Sequence, residues 1–252
     1  MPRFVTVFAC LAVLLAACGR APAEGGAPSS ASGSPGSPVP MSSPGAMPTS
    51  PAPVAAPVFS GGVSRIGPEL REVLTGRNWT PGCPVPLEDL RLVRVSYWNF
   101  EGEVASGPLV LHERVASDVL WVFRRLFRAK FPIQEIKLAA KDRPMRPEDY
   151  WDRTRWSVTA SFNCRPATGS TSLSHHSYGW AIDINPLQNP YVRGDGTVLR
   201  HIAKPFRNRS LQREGMIQDG DVVVRSFARI GWEWGGDWHT LKDYMHFSLT
   251  GR

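Results

Sequence analysis

The chain has 252 residues, of which 42% are hydrophobic, and its 29 Lys and Arg against 22 Asp and Glu give a net charge of +7. This apolar fraction excludes a wholly disordered chain, and four cysteines are too few for a disulfide-stapled scaffold. The 23 Gly and 23 Pro exceed what a compact domain needs, so we expect much of the excess in one segment.

Residues 1–18 are typical of an export signal. Arg3 provides the positive start, and residues 4–17 form an uncharged apolar run that is too short to span a bilayer. Residues 15–18 resemble the bacterial lipobox, whose cysteine, here Cys18, is lipidated. The alternative is a small-residue cleavage site with a chance cysteine. We therefore predict an exported, extracytoplasmic protein of the bacterial cell envelope, anchored to the membrane by lipid at Cys18.

Residues 19–58 predict a disordered linker. These 40 residues contain ten prolines and no aromatic residue, so they cannot bury enough apolar surface to offset the entropy of ordering. A flexible chain of this length spans about 35 Å root-mean-square and would act as a tether, although a tail without function has the same composition. The remainder, residues 59–252, has the size of one domain.

The cysteines and the net charge of this domain indicate a disulfide and the class of partner that it binds. Cys10 leaves with the signal, so Cys83 and Cys164 remain and predict a disulfide, with metal ligation as the alternative. Loss of Arg3, Arg20 and Glu24 with residues 1–58 leaves 27 basic and 21 acidic residues, a charge of +6. Such a surface favours an anionic partner, and export argues against nucleic acid.

Residue periodicity predicts the elements of the domain. Helices are predicted over 68–74, 112–129 and 222–230, and strands over 90–100, 109–111, 134–138, 157–163, 181–184 and 244–249. Strands and helices do not alternate regularly, which favours an α+β fold with a small, mainly antiparallel sheet and packed helices.

The first candidate site centres on a carboxylate in an apolar run. Asp183 lies between Ile182 and Ile184, where an isolated charge is costly to bury and needs a partner. His176 lies seven residues upstream, and Gly179 permits a turn between them. A structural His–Asp pair and a metal site fit this pattern equally well.

A second segment adds a third ligand and a base. His246 lies in the last predicted strand, and Asp243 lies three residues before it. A catalytic zinc takes three nitrogen or oxygen ligands and keeps an open position, which His176, Asp183 and His246 satisfy in number. A carboxylate that does not bind the metal, such as Asp243, can take a proton from the attacking water.

The two segments resemble the zinc peptidases that cut peptidoglycan stem peptides, a group that includes the VanX dipeptidases, the VanY D-Ala-D-Ala carboxypeptidases and the L-alanyl-D-glutamate endopeptidases. The first motif of that group, S-x-H-x-x-G-x-A-x-D, is matched by Ser174, His176, Gly179, Ala181 and Asp183. The second motif, an acid three residues before the last zinc-binding His, is matched by Asp243 and His246. The resemblance covers roughly residues 145–250, and residues 234–238 are similar to the endopeptidase branch.

This resemblance implies a Hedgehog/D-Ala-D-Ala-peptidase-like fold and a role for each motif residue. One zinc ion would be held by His176, Asp183 and His246, and Asp243 would be the general base. Arg165 would steady the substrate carbonyl and the developing oxyanion, and Ser174 would hydrogen-bond the substrate. Many relatives carry Glu as the base, so Asp marks a branch of the group.

Two of these assignments have structural alternatives. Arg165 could be an ordinary surface arginine. The tryptophans of the second segment, Trp232, Trp234 and Trp238, could form a wall for the substrate, and Trp238 is our candidate there, although large aromatic residues more often serve a core.

We therefore predict a monomeric zinc metallopeptidase that hydrolyses peptide bonds in peptidoglycan, with an L-Ala-D-Glu-type endopeptidase favoured. A D-Ala-D-Ala carboxypeptidase is the alternative enzyme. A non-catalytic wall-binding lipoprotein that retains zinc for stability is the alternative of a different class.

Overall fold

The computed structural model describes residues 56–139, 152 and 155–251. The predicted signal, the lipidation site at Cys18, and residues 19–55 of the predicted linker lie outside the described residues. The helices are α1 (Pro68–Leu74), α2 (Glu113–Arg128) and α3 (Val222–Arg229). The strands are β1 (Gly61–Arg65), β2 (Leu90–Trp98), β3 (Val104–His112), β4 (Glu135–Ile136), β5 (Val158–Thr159), β6 (Ala181–Asp183), β7 (Tyr191–Val192), β8 (Glu233–Trp234), β9 (Lys242–Asp243) and β10 (His246–Ser248).

The first sheet is a three-stranded antiparallel sheet in the order β1-β2-β3. The predicted strand 90–100 is confirmed as β2, whose Val93, Val95 and Tyr97 alternate into the core. The predicted partner 109–111 is confirmed within the longer β3. Strand β1 was not predicted from the sequence. All five of its residues are exposed, so it shows no alternation between buried and exposed positions.

Helix α2 covers this sheet with an apolar stripe. Its buried positions follow the helical period and include Val115, Val119, Val122, Phe123 and Leu126. The same hydrophobic cluster contains residues of α3 and of the second sheet. The core therefore ties the sheet under α2 to the strands that carry the candidate site.

The second sheet is antiparallel in the order β6-β10-β8. Ile182 of β6 pairs with Phe247 of β10, and both side chains are fully buried in the core. Because side chains alternate across a strand, the neighbouring Asp183 and His246 lie on the opposite face. One face of this small sheet thus belongs to the core and the other is available for chemistry.

Three predicted strands are much shorter than expected, and the segment 244–249 keeps only β10. The segments 134–138 and 157–163 keep only β4 and β5, which pair in parallel. Beyond β5 the chain is held by single contacts instead of a ladder: Ala160 bridges Asp183, and the Phe162 N–H donates to the Val110 carbonyl over 3.2 Å. Residues 160–162 therefore connect the two sheets. Mixed helices and small antiparallel sheets confirm the α+β class, and the Hedgehog/D-Ala-D-Ala-peptidase-like fold stays a prediction.

The predicted disulfide is present between Cys83 and Cys164, whose Cα atoms are 6.0 Å apart. It closes a loop of 81 residues and fixes the chain immediately before Arg165. A cross-link over such a loop contributes on the order of 4 kcal/mol in chain-entropy models.

Among the described helices, none is both long enough and apolar enough to cross a bilayer.

Gly179 provides a test of the packing beside the site. Its φ is +69°, and a Cβ there would lie 2.6 Å from the backbone nitrogen of His112. Gly102 has a similar φ of +74° with open space around it. We expect Gly102→Ala to cost about 1–2 kcal/mol for the left-handed backbone alone and Gly179→Ala to cost about twice as much, because backbone must also move. Denaturant unfolding measures both, and equal losses would contradict the proposed clash.

Candidate active site

Strand pairing brings the first two candidate ligands together. In the antiparallel register of β6 and β10, His246 lies directly opposite Asp183. Opposed side chains on one face of such a pair have Cβ atoms about 5 Å apart, and here His246 Nδ1 lies 3.0 Å from Asp183 Oδ1. Two residues that are 63 positions apart in sequence thus meet because of a backbone register.

The third ligand comes from a 3₁₀ turn over His175–Tyr178. The Ser174 hydroxyl caps this turn by accepting a hydrogen bond from the His176 N–H over 3.3 Å, and Gly179 ends it with a positive φ. His176 Nδ1 lies 2.6 Å from the Ser161 carbonyl oxygen, so it carries the proton and donates it. His176 Nε2 then lies 3.2 Å from Asp183 Oδ1.

These contacts fit a cation between the three side chains. With its Nδ1 proton used on Ser161, a neutral His176 presents only a lone pair on Nε2 to the lone pairs of the Asp183 carboxylate. That approach is repulsive unless the ring gains a second proton or a cation is shared. One donor atom from each of His176, Asp183 and His246 lies within 4.8 Å of the others, so a single metal ion could bind all three. The Ser161 carbonyl would hold His176 in orientation, as outer partners of metal-binding histidines commonly do.

Electrostatics keep two of these ligands in metal-binding form. Burial acts to raise the pKa of Asp183, but the neighbouring His176 and His246 outweigh it and hold that pKa well below its usual range. Burial lowers the pKa of His246 despite the opposing effect of Asp183. An ionised Asp183 and a neutral His246 are the forms that bind a metal ion.

Asp243 lies on β9, opposite Tyr191 of β7. Its Oδ1 atom is buried and has no hydrogen-bond partner among the described residues. Burial is the main cause that raises the pKa of Asp243 well above its usual value, and the negative charge of Asp183 raises it further. The positive charge of Arg165 acts in the opposite direction. Asp243 is therefore a carboxyl group that accepts a proton readily, as a general base must.

Backbone hydrogen bonds position Arg165 at the cavity that Asp243 and His246 also line. Its N–H donates to the Ser177 hydroxyl over 3.0 Å, and that hydroxyl donates to the Arg165 carbonyl over 2.9 Å. The guanidinium Nη1 donates to the Pro166 carbonyl over 3.0 Å, and the side chain lines the same cavity as Asp243 and His246. A guanidinium lowers the energy of a developing negative charge nearby.

The site lies in a cleft of about 590 Å³. Ser174 and Trp238 line it, and the Trp238 ring centroid lies 5.5 Å from that of His246. Trp232 and Trp234 are buried in the core, which confirms packing for these two. The structure thus brings every sequence-predicted site residue of the described domain to one cleft, with the Cys83–Cys164 disulfide next to it.

Sequence reasoning missed two residues that face this centre. Tyr191 and Thr168 line the cleft, and both also line a second cavity that shares Arg165 and Asp243. Tyr191 lies on a strand of only two residues, which gives no periodic signal. Its position follows from its pairing with Asp243, which the sequence does not reveal.

Residues 168–249 match a family model described as D-alanyl-D-alanine carboxypeptidase. The match includes the two motifs and confirms, over this segment, the resemblance to the VanX and VanY group of zinc peptidases. At this coarse level it supports a peptidase that acts on peptidoglycan. No curated protein and no solved structure matches the chain.

Metal binding by the three ligands predicts a stability change. Zn²⁺ added to chelator-treated protein at a free concentration 100-fold above its dissociation constant should stabilise the fold by about 2.7 kcal/mol. We expect a rise in melting temperature of roughly 5–10 °C. His246→Ala should abolish this rise. His175→Ala is the matched control, because His175 contacts the Thr250 hydroxyl and is not one of the three converging ligands. Equal responses of the two variants would exclude the assigned ligand set.

Because the pKa of Asp243 is raised, replacing it with a neutral residue should stabilise the fold by an amount that depends on pH. A group whose pKa is raised in the folded state contributes stability below its unfolded pKa of about 3.9, and this contribution is lost as pH rises through the folded pKa. In metal-free protein, Asp243→Asn should therefore gain stability over wild type as pH rises from about 4 towards 8. Thermal unfolding of both proteins across that range measures the difference in stability. If Asp243 were fully solvated, this difference would not change with pH.

Proposed function

We propose that the protein is a zinc-dependent peptidase that hydrolyses peptide bonds in peptidoglycan stem peptides, most specifically the L-Ala-D-Glu bond. One observation carries the proposal. Three nitrogen and oxygen donors converge in a cleft that also presents a half-buried carboxyl group, Asp243, and a guanidinium, Arg165.

The donor set fits zinc. Two imidazoles and one carboxylate are the ligand types of catalytic zinc sites that keep a position open for a reactant. Zinc supplies a Lewis acid that polarises a peptide carbonyl and acidifies water. Three protein ligands leave room for that chemistry, and Asp243 is a second carboxyl group beside Asp183 that is not one of the converging ligands.

Asp243 acts as the proton carrier. Its raised pKa favours acceptance of a proton from the attacking water. The buried Oδ1 atom, which has no hydrogen-bond partner in the described part of the chain, retains its hydrogen-bonding capacity for that proton. Asp243 then passes the proton to the nitrogen of the departing amine, which leaves the carboxylate ready for another cycle.

Arg165 acts on the carbonyl side of the reaction. Its permanent positive charge stabilises the oxyanion that develops when water adds to the peptide carbon. The Ser177 hydroxyl fixes the backbone of Arg165 on both its N–H and its carbonyl, and the disulfide fixes the preceding residue. These contacts hold the backbone of Arg165, which supports the proposed role of its side chain.

The choice of bond rests on the surroundings of the centre. Asp243 and Arg165 line both the main cleft and a second cavity of about 350 Å³. Substrate could therefore extend on both sides of the scissile bond, which favours an endopeptidase, as does the similarity of residues 234–238 to that branch. The description of the matching family model favours the second candidate, a D-Ala-D-Ala carboxypeptidase.

A non-catalytic, zinc-containing wall-binding lipoprotein is the alternative of another class. It would retain the three ligands but would have no use for a buried carboxyl group of raised pKa beside them. Such a group costs stability in the ionised form and is typical of a reactive site.

The proposed location follows from the N-terminal segment. Residues 15–18 resemble a lipobox, and lipid on Cys18 would hold the protein at the membrane while residues 19–58 let the domain reach the wall. The charge of +6 on residues 59–252 suits an anionic polymer. We propose a membrane-anchored monomer with no nucleic-acid partner.

If Asp243 is the general base, its substitution should slow turnover strongly but leave metal binding intact. Asp243→Ala should bind zinc yet hydrolyse muropeptides about 10²–10⁴-fold more slowly than wild type. His246→Ala should lose both zinc and activity. Arg207→Gln, an exposed substitution away from the cleft, is the control. Mass spectrometry of the products, with and without chelator, names the bond. Full activity of Asp243→Ala would refute the assignment of the base, and intact muropeptides with the wild-type protein would favour the wall-binding module.

A further inference from the structure

Four cations lie together at the end of helix α2 and just after it. Arg124, Arg125, Arg128 and Lys130 are all exposed, and we call them the basic face. At 100° per residue, its three arginines lie within an arc of about 100° on the helix surface. Residues 119–134 contain no acidic residue, and none of the four cations forms an ion pair with a described residue.

The nearest acids of the described chain do not neutralise this face. Asp118 lies on α2 about 9 Å before Arg124 along the helix axis. Glu101 and Glu103 lie in the turn between β2 and β3, and neither forms an ion pair with the basic face. Its positive charge therefore remains available to an anionic partner.

The parts of the chain outside the described ranges do not change this balance. Residues 19–55 carry only two charged side chains, Arg20 and Glu24, which are opposite in sign. Residues 140–154, most of which lie outside the described ranges, contain four basic and four acidic residues. Neither segment has a net negative charge with which to cover the basic face.

Aromatic rings lie under three of the four cations. The distances from cation to ring centroid are 5.1–5.5 Å, and the pairs are Arg124 with Phe59, Arg125 with Trp121, and Lys130 with Trp98. A cation over a ring keeps its full charge, whereas an ion pair would neutralise it. The rings thus order the cations without removing their attraction for anions.

Apolar side chains reach solvent beside the basic face. Trp121 is 36% exposed and Val58 is 84% exposed. Val58 and Phe59 line a cavity of about 440 Å³ together with Arg124 and Arg128. Cations that meet phosphates and a tryptophan at the depth of the headgroups are typical of protein surfaces that lie in a membrane interface. A soluble polyanion requires only the cations, so the apolar groups favour a bilayer.

The chain enters the domain at this same place. Ala56 and Pro57 line the cavity that Arg124 and Arg128 also line, so residues 19–55 lead directly to the basic face. A flexible segment of that length spans roughly 35 Å root-mean-square. With lipid at Cys18, as proposed above, the segment would keep the basic face close to the bilayer, and weak docking would suffice because the effective concentration is high.

The basic face and the catalytic cleft point outward from different sides of one core. The buried stripe of α2 packs in the same cluster as Ile182 and Phe247, and the basic face is the opposite stripe of that helix. Asp183 and His246 alternate with those two core residues along their strands and face away from the core. A bilayer against the basic face would therefore leave the cleft open on another side.

We propose that the basic face docks the domain on anionic phospholipid headgroups, with its cations on the phosphates and with Trp121 and Val58 in the interface. This partner lies beyond the proposed function, since the surface takes no part in hydrolysis. Docking sets the direction in which the cleft points, so that the domain acts on the wall layer nearest to the membrane.

The first experiment measures vesicle binding in the absence of the lipid anchor. The chain from residue 18 onwards, with Cys18→Ser, retains every described residue and therefore the whole core. It should bind phosphatidylcholine vesicles that contain about 30% phosphatidylglycerol at least roughly tenfold more tightly than pure phosphatidylcholine vesicles. Salt at about 0.5 M should remove most of this difference, because it screens the charges. Equal binding to the two kinds of vesicle would overturn the proposed docking.

Paired substitutions locate the surface that binds. Arg124→Gln with Arg128→Gln should weaken binding to the anionic vesicles roughly tenfold or more, and Lys at both positions should preserve it because the charge remains. Arg207→Gln with Arg213→Gln is the matched control. It removes two exposed arginines, one of which, Arg213, lies over a ring as Arg124 does. Equal losses in the two Gln pairs would mean a response to net charge alone and would overturn the assignment of the basic face.

A second measurement distinguishes a bilayer from a soluble polyanion. Brominated acyl chains quench tryptophans that enter the interface, so Trp121→Phe should remove roughly half or more of the quenching. Trp79→Phe, which alters a tryptophan of another hydrophobic cluster, should leave it unchanged. Binding to soluble polyglutamate without binding to vesicles would assign the face to an anionic polymer and overturn the membrane partner.

These measurements are independent of the proposed peptidase activity. Vesicle binding requires neither zinc nor hydrolysis, so its failure would leave the peptidase in place, and an inactive protein could still dock. Melting curves verify that each variant is folded.

Discussion

The largely buried carboxylate of Asp183, whose side chain is 22% exposed, is the constraint on which the rest of the site depends. It lies on a strand between two apolar side chains that are fully buried, Ile182 and Ile184. A charge in that position is tolerated only with partners of opposite sign or a metal ion. His246 reaches it across the sheet and His176 reaches it from a turn. The need to compensate one charge therefore determines the positions of two other side chains.

A second carboxyl group near the first gives the site its acid–base character. Asp183 is held ionised by two histidines, whereas at Asp243 the charge of Arg165 does not outweigh burial and the negative charge of Asp183. Two groups of the same type thus have pKa values that are displaced in opposite directions by their surroundings. Such a separation lets one carboxylate serve as a ligand while the other exchanges protons. The arrangement costs stability, which is expected of a functional site.

The sequence was sufficient to predict the elements that carry strong periodicity and the residues of the two motifs. Helix α2 and strand β2 each bury one regular face, and Asp183 is recognisable in the sequence as a charged residue within an apolar run. It was not sufficient for contacts that depend on tertiary register. Strands β7 and β9 have two residues each, so the pairing of Tyr191 with Asp243 leaves no pattern. The stacking of Arg200 on Trp156 joins residues 44 positions apart for the same reason.

The overextended prediction for 157–163 identifies the segment that connects the parts of the site. Alternation there suggested a strand, but the chain leaves the ladder after β5 and makes one contact at a time with several neighbours. Along this path the Ser161 carbonyl fixes the tautomer of His176, and four residues later Arg165 presents its guanidinium. The Asn163 N–H donates to the His176 carbonyl over 3.1 Å, which returns the segment to the turn that carries His176. His176, a candidate metal ligand, and Arg165, the proposed oxyanion donor, are thus both held by one short stretch of backbone, which the Cys83–Cys164 disulfide fixes at its end. Because this stretch holds His176 through hydrogen bonds and carries Arg165 in its own backbone, its conformation sets the relative placement on which the proposed reaction depends.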